Sequence, residues 1–387
     1  MNDKPTNSVV VVCPTEYGGH IEHAADLAIA IARHRDVRQC LLVSRPGAKD
    51  YLGLLDFPEL SILELLPARR QPAAGLRGLI RPALQVYDLV VEHTRLRCFV
   101  RELGPSATVL LETPKYPFPQ LAVGPDAETV LFMHNAKPHV NQEHVGARQR
   151  VLGWLERRCV DGVQRLVTHG KTQVETLAGY TDTPAVAVGL PTGSALGGSR
   201  EMPGAAKEPA APYALCIGEL RPNKGVELAI EAAGQAGVPL LVAGKSESSE
   251  LAEQLAALVQ RRPKVRLRDE FLAAGEFDTL IRGASLVVLP YTHFNAQSGI
   301  LSKAIGAGVP VLAADLPALR DQAGKYASIA YTDVNDPEVF ARDIDAAFAC
   351  ALEAQPAATS GEQDTTEVQW DAVAAAVLGR DTAMRNA

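Results

Sequence analysis

The chain has 387 residues, more than one ordinary hydrophobic core accommodates, so we expect two domains. Hydrophobic residues make up 47% and charged residues 21%, a balance typical of a soluble globular protein. The net charge of −7 does not favour a nucleic-acid partner.

Targeting and metal signals are weak in this sequence. The six cysteines contain no CxxC pair, which speaks against a zinc cluster or a redox motif. The first residues, MNDKPTNS, lack the charged start and apolar core of a signal peptide. No apolar run reaches the roughly 20 residues needed to span a bilayer. We therefore expect a cytoplasmic protein.

In the first half of the chain, short apolar runs alternate with helical stretches. The first strand is predicted at Ser8–Cys13, and Gly18–His34 has the period of a helix with an apolar face. Further strands are predicted at Cys40–Ser44, Thr108–Leu111, Thr129–Met133 and Arg165–Thr168. Their continuous apolar character predicts a parallel sheet that is covered on both faces. We assign residues 1–192 to an N-terminal domain.

The segment Gly193–Pro212 is rich in Gly, Ala and Pro and has no hydrophobic period, which predicts a linker. Alternation resumes after it, with strands predicted at Tyr213–Ile217, Pro239–Val242, Val265–Leu267, Leu286–Pro290, Val309–Ala313 and Ser328–Tyr331. Helices are predicted between them at Val226–Ala236, Ser249–Arg261, Glu276–Gly283 and Ser298–Ala307. The fold class is therefore α/β, with doubly wound Rossmann-like sheets. Residues 213–358 form the second domain, and a helix in the tail 359–387 is expected to return to the first.

Two segments of the second domain favour an anion site. GELRPNKG, at Gly218–Gly225, follows a strand and opens a helix, and its Arg221 and Lys224 suit a diphosphate. LPYTHFNAQSGILSKAIGAGVPVLAA, at Leu289–Ala314, places Ser298 and Gly299 at a helix start. Backbone N–H groups at such a start point at one spot and bind anions.

Two segments of the first domain follow strands and carry polar groups. PTEYGGH, at Pro14–His20, holds the pair Gly18-Gly19, which lets the backbone approach a ligand closely. It is not a dinucleotide fingerprint. His20 and His23 lie three apart, but no carboxylate or cysteine completes a ligand set at a strong spacing, so we expect no metal there. We expect Glu22 and His23 to face solvent.

VLFMHNAKPH, at Val130–His139, ends a predicted strand in His134-Asn135. In doubly wound sheets, ligands bind beyond such strand ends. His139 and His144 continue at intervals of five, which fits no single helical face, and we do not interpret them as ligands.

Together these segments resemble the loops of retaining glycosyltransferases of the GT-B fold, in particular family 4, also called glycosyl transferases group 1. The resemblance implies two Rossmann-like domains that face each other across a cleft, with the donor held by the second domain. It implies catalytic roles for His134, Arg221 and Lys224, and acceptor contacts for His20 and Asn135. The donor-binding residues that it implies are Gly18, Gly19, Gly218, Asn295, Gln297, Ser298, Gly299 and Lys303.

One departure from the family lies in the same segment. Family members commonly carry two glutamates with seven residues between them, and this chain has Asn295 and Lys303 there. Lys303 cannot accept the ribose hydrogen bonds that the second glutamate accepts. Gln297-Ser298-Gly299 matches a variant of the family that carries Q-S-G. The donor phosphate is then held by the N–H groups and hydroxyl of Ser298 and Gly299, or Lys303 compensates an additional negative charge.

The expected function is transfer of a hexose from a nucleoside diphosphate sugar to a hydroxyl acceptor, with no metal or other cofactor. Two alternatives remain: a GT-B epimerase of nucleotide sugars, for which Glu16 and Glu112 are the candidate acidic groups, and an inert sugar- or nucleotide-binding protein. The Arg-rich segment 67–101 is a candidate for peripheral contact with an anionic membrane.

Overall fold

A computed structural model describes residues 7–53, 60–68, 77–136, 147–195, 211–353 and 362–380. The chain divides into two compact units, one of Met1–Gly189 with Glu367–Ala387 and one of Leu190–Thr366. Most of the predicted linker, residues 196–210, lies outside the described residues. Each unit has its own parallel sheet with helices packed on it.

The first unit is built on a parallel sheet that has seven strands within the described residues, in the order β3-β2-β1-β4-β5-β6-β7. The strands are β1 (Asn7–Val12), β2 (Val37–Val43), β3 (Ser61–Leu63), β4 (Thr108–Leu111), β5 (Glu128–Met133), β6 (Arg165–His169) and β7 (Ala185–Val188). The helices between them are α1 (Gly19–Ala32), α2 (Ala48–Leu52), α3 (Arg77–Leu103), α4 (Pro119–Val123), α5 (Ala147–Val160) and α6 (Lys171–Ala178).

The strand order of this sheet reverses between β1 and β4. The chain leaves these two neighbouring strands in opposite directions, which opens a crevice at their carboxyl ends, where doubly wound sheets bind ligands. The β-branched run of β1 and the apolar run of β4 are buried on both faces, as a central parallel strand requires. The edge strands β3 and β7 are three and four residues long, and neither was predicted.

The second unit repeats this plan with six strands among its described residues, in the order β10-β9-β8-β11-β12-β13. The strands are β8 (Ala214–Ile217), β9 (Leu240–Ala243), β10 (Val265–Arg268), β11 (Leu286–Leu289), β12 (Val311–Ala314) and β13 (Ile329–Thr332). The helices are α7 (Val226–Ala236), α8 (Ser249–Gln260), α9 (Ala274–Gly283), α10 (Gly299–Gly306), α11 (Pro317–Ala323) and α12 (Pro337–Glu353), and a single 3-10 turn covers Pro222–Lys224. The strand order reverses between β8 and β11.

Alternate residues of each strand serve two hydrophobic clusters, one on each face of the second sheet. Leu240, Val242 and Val288 pack into the cluster that includes residues of α7 and α12. Leu241 and Val287 pack into the cluster that includes residues of α9 and α10. Both faces of these strands are therefore covered, and the predicted α/β class with two doubly wound sheets is confirmed.

The last described helix is α13 (Glu362–Val377), and from Glu367 onward it belongs to the first unit. Its Trp370 is buried, and its Val377 carbonyl accepts a hydrogen bond of 2.6 Å from Nη2 of Arg165. Asp371 lies 3.1 Å from the Nε2 of His34 on the loop after α1. Among the described residues, no helix is both long and apolar enough to cross a bilayer.

Candidate functional site

In the second unit, the segment after β8 packs against the segment after β11, at the reversal of strand order. Asn223 accepts a 3.1 Å hydrogen bond from the N–H of Thr292. Gly225 is the cap residue directly before α7, with φ +61°, and a Cβ there would lie 1.9 Å from the carbonyl oxygen of Pro290. Only glycine fits this contact, because it tolerates the positive φ and has no side chain to collide with the strand end.

The two predicted cations lie on this segment, and their surroundings differ. Nη2 of Arg221 lies 2.6 Å from Oε2 of Glu219, and the Nε lies 4.0 Å from Glu247. Lys224 holds its ammonium over aromatic rings, 3.9 Å from the centroid of Tyr291. Within the described part of the chain, no carboxylate oxygen lies within 4.0 Å of that ammonium. Lys224 is therefore the cation whose charge is left for an anionic ligand.

The start of α10 offers two open backbone donors. Ser298 is buried, and its hydroxyl caps the helix by accepting from the N–H of Leu301 at 3.3 Å. Its own N–H donates to Oε1 of Gln322 at 2.6 Å. Within the described residues, the N–H groups of Gly299 and Ile300 meet no acceptor. An anion at this helix start would therefore meet Gly299 and Ile300, with Ser298 shaping the turn.

Lys224 and the start of α10 share a neighbour. The hydroxyl of Tyr291 lies 3.0 Å from the Oγ of Ser298, while its ring carries the ammonium of Lys224. Gly218, directly after β8, lies against Ile300, because a Cβ there would be 2.9 Å from Ile300 Cδ1. Predicted donor-binding residues from both motifs therefore meet at the carboxyl end of the second sheet.

The other predicted donor residues lie along the turn and the helix of the same unit. The side-chain oxygen Oε1 of Gln297 is buried and meets no donor within the described residues, which suits the hydroxyl of a ligand. Asn295 is exposed, and its Nδ2 lies 3.2 Å from Nε2 of His293. Lys303 donates from its ammonium to Oδ1 of Asp278 at 2.6 Å.

In the first unit, the glycine pair follows β1 at the corresponding reversal of strand order. Gly18 has φ +87° and precedes α1, and a Cβ at Gly18 or Gly19 would meet nothing within 4 Å. The open space beside this backbone fits the close approach of a ligand that the sequence predicts.

A buried ion cluster fixes the loop that leads to these glycines. Arg45, after β2, donates from its Nε to the carbonyl of Pro14 at 2.9 Å and pairs with the buried carboxylate of Glu92 on α3. Lys115, after β4, lies 2.7 Å from the same carboxylate, and the hydroxyl of Tyr116 donates to it at 3.1 Å. Groups that follow three strands are thus tied to one helix.

Four histidines and one glutamate meet at the carboxyl end of the first sheet. His134, directly after β5, lies with its Nε2 2.7 Å from Oε2 of Glu112, directly after β4. The same carboxylate lies 3.2 Å from Nδ1 of His23, and Nε2 of His23 lies 3.2 Å from Nε2 of His169 at the end of β6. The ring of His20 packs edge-on against that of His134, with 4.6 Å between centroids.

The expectation that His23 faces solvent is wrong, because this side chain is only 8% exposed. It belongs to the buried stripe of α1 that continues through Ala24 and Leu27. Burial lowers the pKa of His23, and also that of His169, so both rings favour the neutral form.

Hydrogen-bonding rules fix the protons in this cluster. Burial by itself would raise the pKa of Glu112, but His23 and His134 outweigh that effect and hold the pKa well below its usual value. An ionised carboxylate only accepts hydrogen bonds, so His23 Nδ1–H and His134 Nε2–H both donate to it. The Nε2 of a neutral His23 is then a lone pair that accepts from the Nε2–H of His169.

The predicted site residues thus fall into two groups, one in each unit. The first unit holds Gly18, Gly19, His20, His134 and Asn135. The second unit holds Gly218, Arg221, Lys224, Asn295, Gln297, Ser298, Gly299 and Lys303. His139 and His144 lie outside the described residues. The roles of the residues in both groups remain predictions.

Four residues that contact the predicted site residues or their neighbours were not predicted from the sequence: His169, Tyr291, Gln322 and Asp278. His169 carries a signal that could have found it, since it ends the apolar run RLVTH before a glycine, as His134 ends its own run. Gln322 and Asp278 lie on helices far along the chain from their partners and carry no local signal.

Comparison with known proteins bears on the class of the protein. Residues 211–349 match the family model described as Glycosyl transferases group 1. The resemblance to GT-B glycosyltransferases of this group is therefore confirmed for that part of the chain. No curated protein sequence matches the chain.

Solved structures are similar in fold over nearly the whole chain. Sucrose-phosphate synthase from Thermosynechococcus elongatus is 15% identical over 98% of both chains, with a TM-score of 0.67. An α,α-trehalose-phosphate synthase (UDP-forming) from Burkholderia xenovorans, in complex with glucose-6-phosphate, is 14% identical over 98% of this chain and 99% of its own, with a TM-score of 0.62. Anabaena Alr3699/HepE, in complex with UDP-glucose, is 13% identical over 98% of both, with a TM-score of 0.58. At these identities the likeness establishes the GT-B fold.

Proposed function

We propose that the chain is a retaining glycosyltransferase that moves a hexose from a nucleoside diphosphate sugar to a hydroxyl acceptor. The observation that carries the proposal is the anion site of the second unit. There the ammonium of Lys224, which has no carboxylate partner among the described residues, is joined through Tyr291 to the open N–H groups at the start of α10. The match to group 1 glycosyltransferases covers both segments that form this site.

The donor's diphosphate is the ligand that this site suits. A diphosphate carries spread negative charge, which a cation and a helix start both stabilise. Arg221 adds a second cation once a diphosphate draws its guanidinium away from Glu219. The buried Oε1 of Gln297 accepts a hydrogen bond from a hydroxyl group of the nucleotide sugar.

In the proposed reaction, the bond between the anomeric carbon and the diphosphate oxygen breaks, and its electron pair goes to the diphosphate. The oxygen of the acceptor hydroxyl forms the new bond to the anomeric carbon on the same face, and its proton passes to a phosphate oxygen. No protein nucleophile is needed. The chain's contribution is to position both substrates and to stabilise the charge that grows on the leaving diphosphate.

The first unit supplies the groups for the sugar and the acceptor in this proposal. Glu112 orients His134 by accepting its Nε2–H, which directs the other ring nitrogen toward a ligand. His20, whose ring packs against His134, and Asn135 are the proposed acceptor contacts. Gly18 and Gly19 leave room for the donor beside the backbone.

UDP-glucose is the first donor to test, because solved neighbours are bound to UDP-glucose and to glucose-6-phosphate. The protein is incubated with a panel of nucleotide sugars, alone and with sugar or sugar-phosphate acceptors. We expect release of the nucleoside diphosphate, and an acceptor product whose anomeric configuration by NMR matches that of the donor. An inverted product would overturn retention. A changed sugar on the nucleotide would identify an epimerase, and binding without turnover would identify an inert protein.

We also propose that the donor is held without an essential metal, since Arg221 and Lys224 supply the positive charge. Turnover of the best donor is measured with excess chelator and again with added Mg²⁺ or Mn²⁺. We expect the rate to persist in chelator. A rate that chelator abolishes and either metal restores would refute this part of the proposal.

Peripheral membrane contact through α3 is part of the proposal for partners. Val86, Tyr87 and Val90 are exposed on this helix, and Arg97 and Arg101 are exposed further along it. Apolar side chains beside arginines suit the surface of an anionic bilayer. Co-sedimentation with phosphatidylserine vesicles, compared with phosphatidylcholine vesicles, tests it. The variant Arg97→Glu/Arg101→Glu should reduce binding, and equal binding to both vesicle types would reject an electrostatic contact.

A further inference from the structure

The histidine cluster of the first unit surrounds a single point. His23 lies in the first turns of α1, His134 follows β5 and His169 ends β6. Each offers one ring nitrogen, and these nitrogens lie within 4.8 Å of one another. The ring centroids are 4.7 Å apart for His23 and His134, 5.2 Å for His23 and His169, and 5.9 Å for His134 and His169. No pair stacks face to face, so the rings converge from different directions.

The spacing of His23 and His169 matches that of two imidazoles on one metal ion, and the nitrogen of His134 lies within 4.8 Å of both. Nitrogens bound to a tetrahedral Zn²⁺ at about 2.0–2.1 Å are about 3.3 Å from one another. The Nε2 atoms of His23 and His169 are 3.2 Å apart. Three histidines are a common ligand set for zinc, and they leave a fourth position for water or another ligand.

Glu112 lies behind the proposed ligands, where metal sites commonly hold a carboxylate. It accepts hydrogen bonds from His23 Nδ1 and His134 Nε2 and is fully buried. Such a carboxylate fixes the tautomer of a ligating histidine and makes its other nitrogen a better ligand. For His23 that other nitrogen is Nε2, the atom that faces His169.

We infer that His23, His134 and His169 bind one transition-metal ion of the borderline type, with Zn²⁺ as its representative. Imidazole ligands suit zinc, copper and nickel, whereas calcium and magnesium prefer oxygen ligands. The bound ion takes the Nε2 lone pairs of His23 and His169, with the proton of His169 moved to its Nδ1, so the ion replaces the hydrogen bond from His169 to His23.

The three histidines belong to the first unit, whereas Arg221, Lys224 and α10 of the proposed diphosphate site belong to the second. His134 is a metal ligand in this inference and a contact of the donor sugar in the proposed function. A ring that ligates a metal can no longer hydrogen-bond to the sugar. Added Zn²⁺ is thus expected to inhibit any transfer that depends on His134.

Direct metal binding tests the inference independently of transferase activity. The untagged full-length chain is freed of metal by dialysis against chelator and titrated with Co²⁺, which reports a tetrahedral nitrogen site by its visible absorption. We expect one Co²⁺ per chain, displaced by one equivalent of Zn²⁺. His169→Gln and His23→Gln should each weaken binding at least about tenfold, because each removes a ligand, and Glu112→Gln should weaken it about 10-fold or more.

The matched control is His293→Gln, which removes an exposed histidine of the second unit and should leave Co²⁺ affinity unchanged. Circular dichroism confirms that each variant is folded, and His169→Gln decides the question if His23→Gln does not fold. Absence of a saturable cobalt spectrum in the parent chain would overturn the inference and leave the cluster as a hydrogen-bonded network. Unchanged affinity in His169→Gln would overturn it equally.

Discussion

The ammonium of Lys303 on α10 lies 2.6 Å from the carboxylate of Asp278 on α9. The two side chains are 32% and 25% exposed, so the pair is half-buried between the helices. Lys303 stands where related glycosyltransferases carry a glutamate that accepts from ribose hydroxyls. This chain has a lysine in place of that glutamate, and the carboxylate of Asp278 on the neighbouring helix neutralises the charge of Lys303.

The Lys303–Asp278 pair predicts a loss of stability when one charge is reversed. Lys303→Glu places two carboxylates together in a half-buried position, and we expect the free energy of unfolding to fall by about 1–2 kcal/mol. Urea denaturation at pH 7 measures it. The double variant Lys303→Glu/Asp278→Lys restores opposite charges and should recover more than half of the loss. If the single variant is as stable as the parent, the pair is not formed in solution.

The same double variant tests Lys303 as a donor contact without the charge clash. It restores a carboxylate at position 303, and a hydrogen bond from ribose to a charged acceptor contributes about 1.5–3 kcal/mol, so we expect UDP to bind at least about tenfold more tightly. Isothermal titration with uridine, guanosine and adenosine diphosphates gives the affinities. Unchanged affinity for all three would remove Lys303 from the donor site.

We predict that Glu219 and the donor diphosphate compete for the guanidinium of Arg221. If the diphosphate draws Arg221 away from Glu219, then Glu219→Gln removes the competitor and UDP binds as tightly as in the parent or more tightly. Arg221→Ala removes the cation, and UDP should bind about tenfold more weakly, as expected for a charge-assisted hydrogen bond. Equal weakening in both variants would show that the pair serves only the shape of the turn.

Most of the fold was predictable because the central strands are short, continuously apolar and separated by helical stretches. β4 and β11 consist almost entirely of Val and Leu, and both were predicted within a residue. The edge strands β3 and β7 were not, because three or four residues with one covered edge carry too little hydrophobic signal to separate them from loops.

The candidate site was predictable where its residues lie close together along the chain. Gly218 and Lys224 share one motif, and so do Gln297 and Gly299. The histidine cluster was predicted only in part, since His169 lies 146 residues after His23 and only the strand order brings them together. His23 was misjudged because the buried side of α1 is wider than its spacing of apolar residues suggests, where the helix covers the strand ends.

We predict that removing the charge of Lys224 causes a large loss of catalysis with little loss of stability. Lys224→Met retains most of the stem over Tyr291 but removes the positive charge near the developing anion. We expect kcat/KM to fall by about 10²–10³, the usual cost of losing one group that stabilises a transition-state charge. Lys325→Met, at an exposed lysine of the same unit, is the control and should be near normal. A Lys224→Met variant with similar turnover would place the phosphate elsewhere.

We predict that position 225, directly before α7, requires glycine for steric reasons. Gly225→Ala brings a Cβ to 1.9 Å from the Pro290 carbonyl, and it also strains a residue at φ +61°. Gly308→Ala has a similar φ of +66° but meets nothing within 4 Å, so it carries the strain without the clash. We expect Gly308→Ala to cost about 1–2 kcal/mol of unfolding free energy and Gly225→Ala at least about 2 kcal/mol more.

Urea denaturation compares the two glycine variants, and UDP titration adds a second measurement. Gly225→Ala should also weaken UDP binding, because the displaced turn carries Lys224, whereas Gly308→Ala should bind UDP normally. Equal stability of the two variants would mean that the contact between Gly225 and Pro290 relaxes without cost, and the proposed need for glycine at the helix start would be wrong.

We predict that replacing Glu112 impairs turnover but leaves nucleotide binding intact. Glu112→Gln keeps the size of the side chain but replaces one accepting oxygen with an NH₂ group, so it can no longer accept from both His23 and His134. His134 then loses its fixed orientation, and we expect kcat to fall about 10–100-fold, as when a supporting partner of a functional histidine is removed. The affinity for UDP should stay within about twofold, because Glu112 accepts its hydrogen bonds from His23 and His134 and from none of the proposed phosphate contacts. Stopped assays with UDP-glucose and titration with UDP separate these effects, and circular dichroism checks the fold. A variant that loses UDP binding as severely as turnover would show that Glu112 supports the structure as a whole, and His134 would then have no demonstrated part in the transfer.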